Sequence, residues 1–221
     1  MTSSLLRHEA PDGPPPLAGG RGLQVHGVDD PARSEVQAFI ARIYAQRFGA
    51  RVQQFTPCLV SLRDPLSGEL VAAAGYRFAD TGPLFLERYL SAPIEDLLGA
   101  QHGTPVTRRG VVEVGHLAAD RAGEGRRLIL LLGQHLAQLP EQRSTEWVVS
   151  TLTQELRHLF VRLGVTPLAL GQADPAAVGA DLAAWGRYYE HRPVVLAGRL
   201  QAALRLMGRR ATQANATANA A

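Results

Sequence analysis

The sequence predicts a mixed α/β (α+β) domain built on a central twisted mixed sheet flanked by helices. Three observations carry this. Runs rich in apolar and β-branched residues alternate with runs whose apolar residues recur at helical spacing. The chain has 221 residues, 46% of them apolar, which suffices for one good core. No internal repeat interrupts the order.

Each element has its own local signal. Asp30 before Pro31 is a helix start, because the carboxylate can accept unpaired amides and the proline ring lacks only a donor that is unused there. Val36, Phe39, Ile40, Ile43 and Phe48 then keep helical spacing, and Gly49 ends the helix. Residues 58–63 and 70–76, joined by Asp64, Pro65, Leu66, Ser67 and Gly68, predict a β-hairpin. Residues 84–90 are apolar around Glu87 and Arg88, and Pro93 opens a helical turn to Leu98. A strand over 110–117 leads through a glycine-bearing loop into a helix with Leu128, Leu132, His135, Leu136 and Leu139 on one side. A strand over 147–152 and a helix over 154–163 come next. Asp174 and Pro175 repeat the start signal, and Val178, Leu182, Trp185 and Tyr189 define a buried stripe, with a closing strand over 193–197. The domain is assigned to 23–206, between a disordered Pro/Gly-rich leader (1–22) and a disordered small, polar tail (207–221).

Charge and composition exclude several classes. All 23 basic residues are arginine, so lysine Schiff-base catalysis and a lysine-dependent phosphate loop are absent. Residues 23–206 hold 19 Arg against 18 Asp and Glu, too balanced a body for a nucleic-acid footprint. Cys58 is the single cysteine and has no adjacent base, so it reads as a buried thiol and not a nucleophile. The histidines show no paired ligand spacing, and no metal is expected. No stretch approaches the ~20 apolar residues of a membrane span, and the leader lacks a secretory apolar run. A cytoplasmic protein without stable membrane insertion is expected.

Five runs carry a resemblance: LFLERYL (84–90), APIEDLL (92–98), VVEVGHLA (111–118), LRHLFVRLGVTPLALGQADP (156–175) and WGRYYEHRPVVLAG (185–198). They resemble the thermostable hemolysin family, in order, over roughly residues 25–200. That family's fold resembles the GNAT acyltransferases and, more distantly, the acyl-homoserine-lactone synthases. The resemblance implies an acyltransferase using acyl-CoA or an acyl carrier protein as donor and the amine of a small polar acceptor, such as an amino acid. Where the family pattern has asparagine after Glu-Val-Gly, this chain has His116. Its glycine loop is also one residue shorter than a GNAT phosphate loop. A directly membrane-lytic protein and an inactive GNAT-like binding module are the alternatives.

Chemistry at these positions singles out the candidate site residues. Gly123 and Gly125 let amides approach a ligand at a helix start, with Arg121, Arg126 and Arg127 as charged donors for the donor's phosphates. Glu113, a carboxylate inside an apolar strand, is a candidate base for the attacking amine, or else a partner of Arg108 or Arg109. His116 falls on the opposite face from Glu113 unless a bulge intervenes at Gly115. It joins Glu87 and Arg88 as a candidate for substrate binding. Tyr188 is the candidate acid that protonates a departing thiolate, Tyr189 being assigned to the buried stripe.

Overall fold

A computed structural model describes residues 22–218. The leader lies, apart from Gly22, outside the described residues. Seven strands form one sheet in the order β1-β2-β3-β4-β5-β7-β6. They are β1 Gln24–His26, β2 Cys58–Arg63, β3 Leu70–Phe78, β4 Val111–Ala119, β5 Trp147–Leu152, β6 Leu168–Gln172 and β7 Val194–Arg199. Neighbours are antiparallel except β4 and β5, which run parallel. The sheet is therefore mixed, as its sequence predicts.

The two-residue strand period sorts side chains to opposite faces. Leu59, Ala73 and Ala118 pack with Val36, Ile40 and Tyr44 of helix α1 (Arg33–Phe48) on one face. Val60, Ala72 and Val112 pack with Leu128, Leu132 and Leu136 of helix α3 (Glu124–Ala137) on the other. Helix α2 (Ile94–His102) adds Ile94 and Leu98 to a third cluster around Val111 and Val149. Helix α4 (Gln154–Arg162) sets Leu159 and Phe160 against Ile129 and Met207. Truncating a fully buried leucine of this kind costs about 2–5 kcal/mol. The α1 start signal holds: Asp30 Oδ1 accepts the Ala32 amide at 2.7 Å. Arg33, 9% exposed, donates to the carbonyls of His26, Gly27, Thr56 and Pro57, fastening β1 and the 56–57 segment to the helix.

Several expectations are corrected. Residues 84–90, an apolar run given no element from sequence, contain a 3-10 turn (Phe85–Tyr89). Residues Pro175–Trp185 are 3-10 turns broken at Gly179, whose φ is 55°, so the expected stripe does not form. Leu182 is 40% exposed there. Helix α5 (Leu200–Ala218) crosses the segment expected to be a disordered tail, and its Met207 is buried in the α4 cluster.

Two irregularities of β4 interrupt the regular sheet. Its parallel ladder with β5 covers only Val111–Glu113 against Trp147–Val149. Beyond that the strands part, and the Ser150 hydroxyl spans the gap to the Val114 carbonyl at 2.7 Å. Against β3, Gly75 faces Gly115 but Ala73 faces Ala118, so His116 and Leu117 together oppose Ala74. That is a β-bulge.

Candidate functional site

The parting of β4 from β5 is where cavities gather. The first, of about 150 Å³, is lined by Arg77, Phe85, Tyr89, Glu113, Trp185 and the 51–54 segment, among others. The second, of about 390 Å³, lies toward α4 and the end of α1, with Arg47, Glu155, Arg162 and His191 in its walls. Tyr44, Gly115, His116, Thr151 and Tyr188 line both, so the two share a wall. A third cavity, of about 90 Å³, sits among the apolar residues of α3, α5 and the sheet and meets the gap at Val114, Leu117 and Ser150.

The bulge brings His116 to the same cavity as Glu113, the condition its sequence position required. The strain is local: His116 has φ 54°, a left-handed backbone costing about 1–3 kcal/mol outside glycine. A Cβ at Gly75 would collide with Thr56 Oγ1 and, less severely, crowd Leu59 at 3.0 Å and His116 Nδ1 at 3.2 Å. Nδ1 is buried without a partner among the described residues, forfeiting about 1–3 kcal/mol. Burial lowers the His116 pKa to about 4, Arg77 and Arg33 add to the effect, and the Gln54 carbonyl opposes it. The imidazole is neutral at pH 7.

Glu113 is 6% exposed and has a different occupation from the one expected. Its Oε2 accepts the Phe85 amide and its Oε1 the Leu86 amide, each at 2.9 Å, and Arg77 Nε lies 3.3 Å from Oε2. The partner is Arg77, not Arg108 or Arg109. Burial raises the Glu113 carboxyl, against the pull of both amides and Arg77. The residue clamps the 85–89 turn to β4 and so fixes one cavity wall.

Glu87 is likewise internal. It accepts the Leu84 amide at 2.8 Å, the Ile94 amide at 3.1 Å and Arg108 Nη1 at 2.6 Å. Arg108 also binds Glu95 and the carbonyls of Ala79 and Gly82. Burial alone would raise the Glu87 carboxyl, but Arg108 and the two amides outweigh it and hold it at about 2. This network staples the block and leaves Glu87 no headgroup to bind, which corrects the expectation. Arg88 is exposed, with its guanidinium 3.8 Å from the Phe85 ring centroid and outside the cavities.

The tyrosines exchange the places expected of them. Tyr188 is buried at 7%, stacks on Tyr44 at 6.4 Å, and reaches Thr151 O with its hydroxyl at 3.4 Å. Burial raises its pKa well above 10, so the phenol keeps its proton. Tyr189 is the half-buried one, its hydroxyl 2.7 Å from that of Tyr89.

The glycine loop stands apart from this wall. Arg121 is held by Asp64 at 2.8 Å and Glu69 at 2.7 Å, both in the β2–β3 turn, which corrects its assignment to phosphate. Gly123 caps α3 in the left-handed region at φ 87°. Arg126 and Arg127 line an open groove with Gly123 and Pro65, and Arg127 pairs with Glu124. Gly125 approaches the Ala119 Cβ and lines none of these spaces. Cys58 is half-buried, in β2 and away from the site. Among the described residues, no group of three or more His, Cys, Asp or Glu is placed to hold a metal, and no helix is long and apolar enough to cross a membrane.

Sequence reasoning missed Arg77, Tyr44, Thr151 and Trp185. The signal for Arg77 was present: an arginine two residues beyond Gly75 in a strand that extends to Phe78.

Solved structures share this architecture. The N-acyl amino acid synthase FeeM, from uncultured soil microbes, superposes with a TM-score of 0.55 at 11% identity, over 82% of this chain and 92% of its own. The CoA-dependent acyl-homoserine lactone synthase BjaI, with SAM and isopentyl-CoA, gives 0.54 at 14%, over 86% and 89%. The AHL synthase LasI gives 0.51 at 17%, over 84% and 95%. At these identities the likeness establishes a GNAT-like fold and no chemistry. No curated protein matches the chain in sequence. A family model described as thermostable hemolysin matches residues 26–204, taking in β2 through β7 and the gap between β4 and β5, and the chain belongs to that family.

Proposed function

We propose that the protein is an N-acyltransferase that moves an acyl group from a CoA or acyl-carrier-protein thioester to the amine of an amino acid. The parted β4–β5 pair carries this reading. It opens a gap in an otherwise continuous sheet, and three cavities of different character meet there. The apolar cavity under α3 and α5 suits the acyl chain. The larger one, rimmed by Arg47 and Arg162, suits the thioester arm, with Arg126 and Arg127 farther out for its phosphates. The first cavity offers the Arg77 guanidinium to a carboxylate between aromatic walls, which suits an amino acid. Tyr188, protonated and set in the shared wall, gives its proton to the departing thiolate. Glu113 contributes by holding the acceptor wall in shape. Structural relatives that synthesise N-acyl amino acids and acyl-homoserine lactones agree with this chemistry.

The test is direct. The purified full chain is incubated with short, medium and long acyl-CoA and acyl-carrier-protein thioesters and a mixture of amino acids, and products are read by mass spectrometry. An N-acyl amino acid formed in step with free thiol is expected. Absence of amide with every donor, with leakage of dye-loaded vesicles by the protein alone, would replace this reading by the membrane-lytic one.

A further inference from the structure

Packing does not account for His116. A side chain is rarely held in the left-handed region when glycine would sit there without strain, and the chain has placed glycine at the neighbouring Gly115. Gly75 on the opposite strand lies against Thr56 first, with the His116 ring the loosest of its three neighbours. The ring stands 5.4 Å from the Phe55 ring and 6.5 Å from that of Tyr44, in the wall common to the two large cavities. A strained imidazole at the meeting point of two cavities is the mark of a functional group.

We propose that His116 is the catalytic base of the reaction, its imidazole taking the proton that the attacking nitrogen sheds as the amide bond forms. This rests on the acyl-transfer reading above. The free amine in the first cavity attacks the thioester carbonyl carbon at the shared wall, and a C–N bond forms. The nitrogen, now positively charged, gives one proton to His116. The C–S bond breaks, the sulfur leaves with its electron pair, and Tyr188 protonates it. The imidazolium returns a proton to Tyr188, so amine and thioester become amide and thiol with nothing left over.

The surroundings favour His116 over Glu113 for this task. Both Glu113 oxygens are engaged by main-chain amides, and Arg77 stands against one of them. The charges acting on His116 are the Arg77 guanidinium from β3 and Arg33 from α1, both of which disfavour an imidazolium, while the Gln54 carbonyl favours it. Tyr44 and Tyr188 share its wall, and Glu113 lines the first cavity with it but is engaged by the Phe85 and Leu86 amides and Arg77.

The experiment compares the wild-type full chain with His116→Gly and His116→Asn, using octanoyl-CoA and the amino acid that the wild type acylates best. Glycine removes the strain and leaves a hole, while asparagine tolerates the left-handed backbone but cannot take a proton. Both variants are expected to melt at or above the wild-type temperature and to lose about 100-fold or more in kcat. KM for the thioester should change little. Added imidazole should restore turnover to His116→Gly and leave His116→Asn unaffected. Wild-type kcat in His116→Asn overturns the proposal, as does a folded, inactive His116→Gly indifferent to imidazole. Variants melting far below the wild type return His116 to a packing role. A wild type that forms no amide from any thioester removes the acyl-transfer reading itself, and the base with it.

Discussion

Arg77 and Glu113 stand directly opposite one another on β3 and β4, with Arg77 Nε 3.3 Å from Glu113 Oε2. The same carboxylate receives the Phe85 and Leu86 amides, so one side chain joins the strand pair to the turn that walls the first cavity. In Glu113→Gln the new NH2 group faces one of those amides, donor against donor. Leaving a buried amide without an acceptor costs about 1–3 kcal/mol, which lowers the melting temperature by roughly 4–8 °C in a domain of this size. Calorimetry reads the loss, and an unchanged midpoint would mean that the clamp does not form.

Glu87 contributes to the acid limb of stability. Its folded pKa of about 2 lies below the ordinary carboxylate value of 4.5, so its contribution is complete above about pH 4.5 and is lost as pH falls toward 2. The difference corresponds to roughly 3 kcal/mol. Denaturant melts at successive pH values should show the wild type losing stability across this window. Arg108→Met should be less stable at neutral pH and flatter in acid.

Tyr188→Phe keeps the ring on Tyr44 and removes only a hydroxyl whose bond to Thr151 is long at 3.4 Å. The melting temperature should stay within a few degrees. Loss of a general acid predicts a fall in kcat of about 100-fold, smaller for activated thioesters whose thiols leave easily. Equal losses for all leaving groups would separate Tyr188 from the departing sulfur.

Arg121 and the pair Arg126 and Arg127 should behave differently. Arg121→Ala breaks exposed ion pairs to the hairpin turn, each worth about 0–1 kcal/mol, and should leave KM for acyl-CoA unchanged. Arg126→Ala with Arg127→Ala should raise it about tenfold or more, by loss of charge-assisted bonds to phosphate. Titration with CoA distinguishes the two variants.

Ala203→Leu enters the apolar cavity from α5. It should shift preference toward shorter acyl chains, since each rejected methylene is worth about 1–3 kcal/mol in a hydrophobic pocket. Competition between two acyl-CoAs of different length reads the change, and an unaltered ratio would place the chain elsewhere.

Much of this architecture was legible from period and punctuation. The hairpin of residues 58–76, the Asp30–Pro31 start and the α3 stripe rest on local signals that packing reinforces. The second Asp-Pro pair misled because its cap does form, with Asp174 accepting the Ala176 amide at 2.8 Å, while Gly179 and Gly186 at positive φ stop any regular helix from growing. β1 has three residues, and β6 follows Pro167 and carries Gly171, too little pattern for a strand that its neighbours nonetheless pair. The part of α5 from residue 207 looked like a polar tail because Met207 is followed by small and polar residues, although Leu200 and Met207 are both buried. The site divided similarly. Glu113, His116 and Tyr188 were visible as unusual residues, whereas Arg77 and Trp185 become neighbours only when β3 and the 175–185 segment converge.

The wall shared by Tyr44, Gly115, His116, Thr151 and Tyr188 separates two chambers that are otherwise lined by different residues. If the two chambers take donor and acceptor as proposed, the two need not queue for one entrance. Either can arrive first, and no acylated form of the protein has to accumulate between them. Initial-rate plots should intersect, not run parallel. A molecule joining an acyl-thioether of CoA to an amino acid through the atoms that meet at this wall would occupy both chambers at once, and the second half would bind at the high effective concentration set by the first. Such a conjugate should hold the protein far more tightly than its two halves mixed, and its affinity would report the width of the partition.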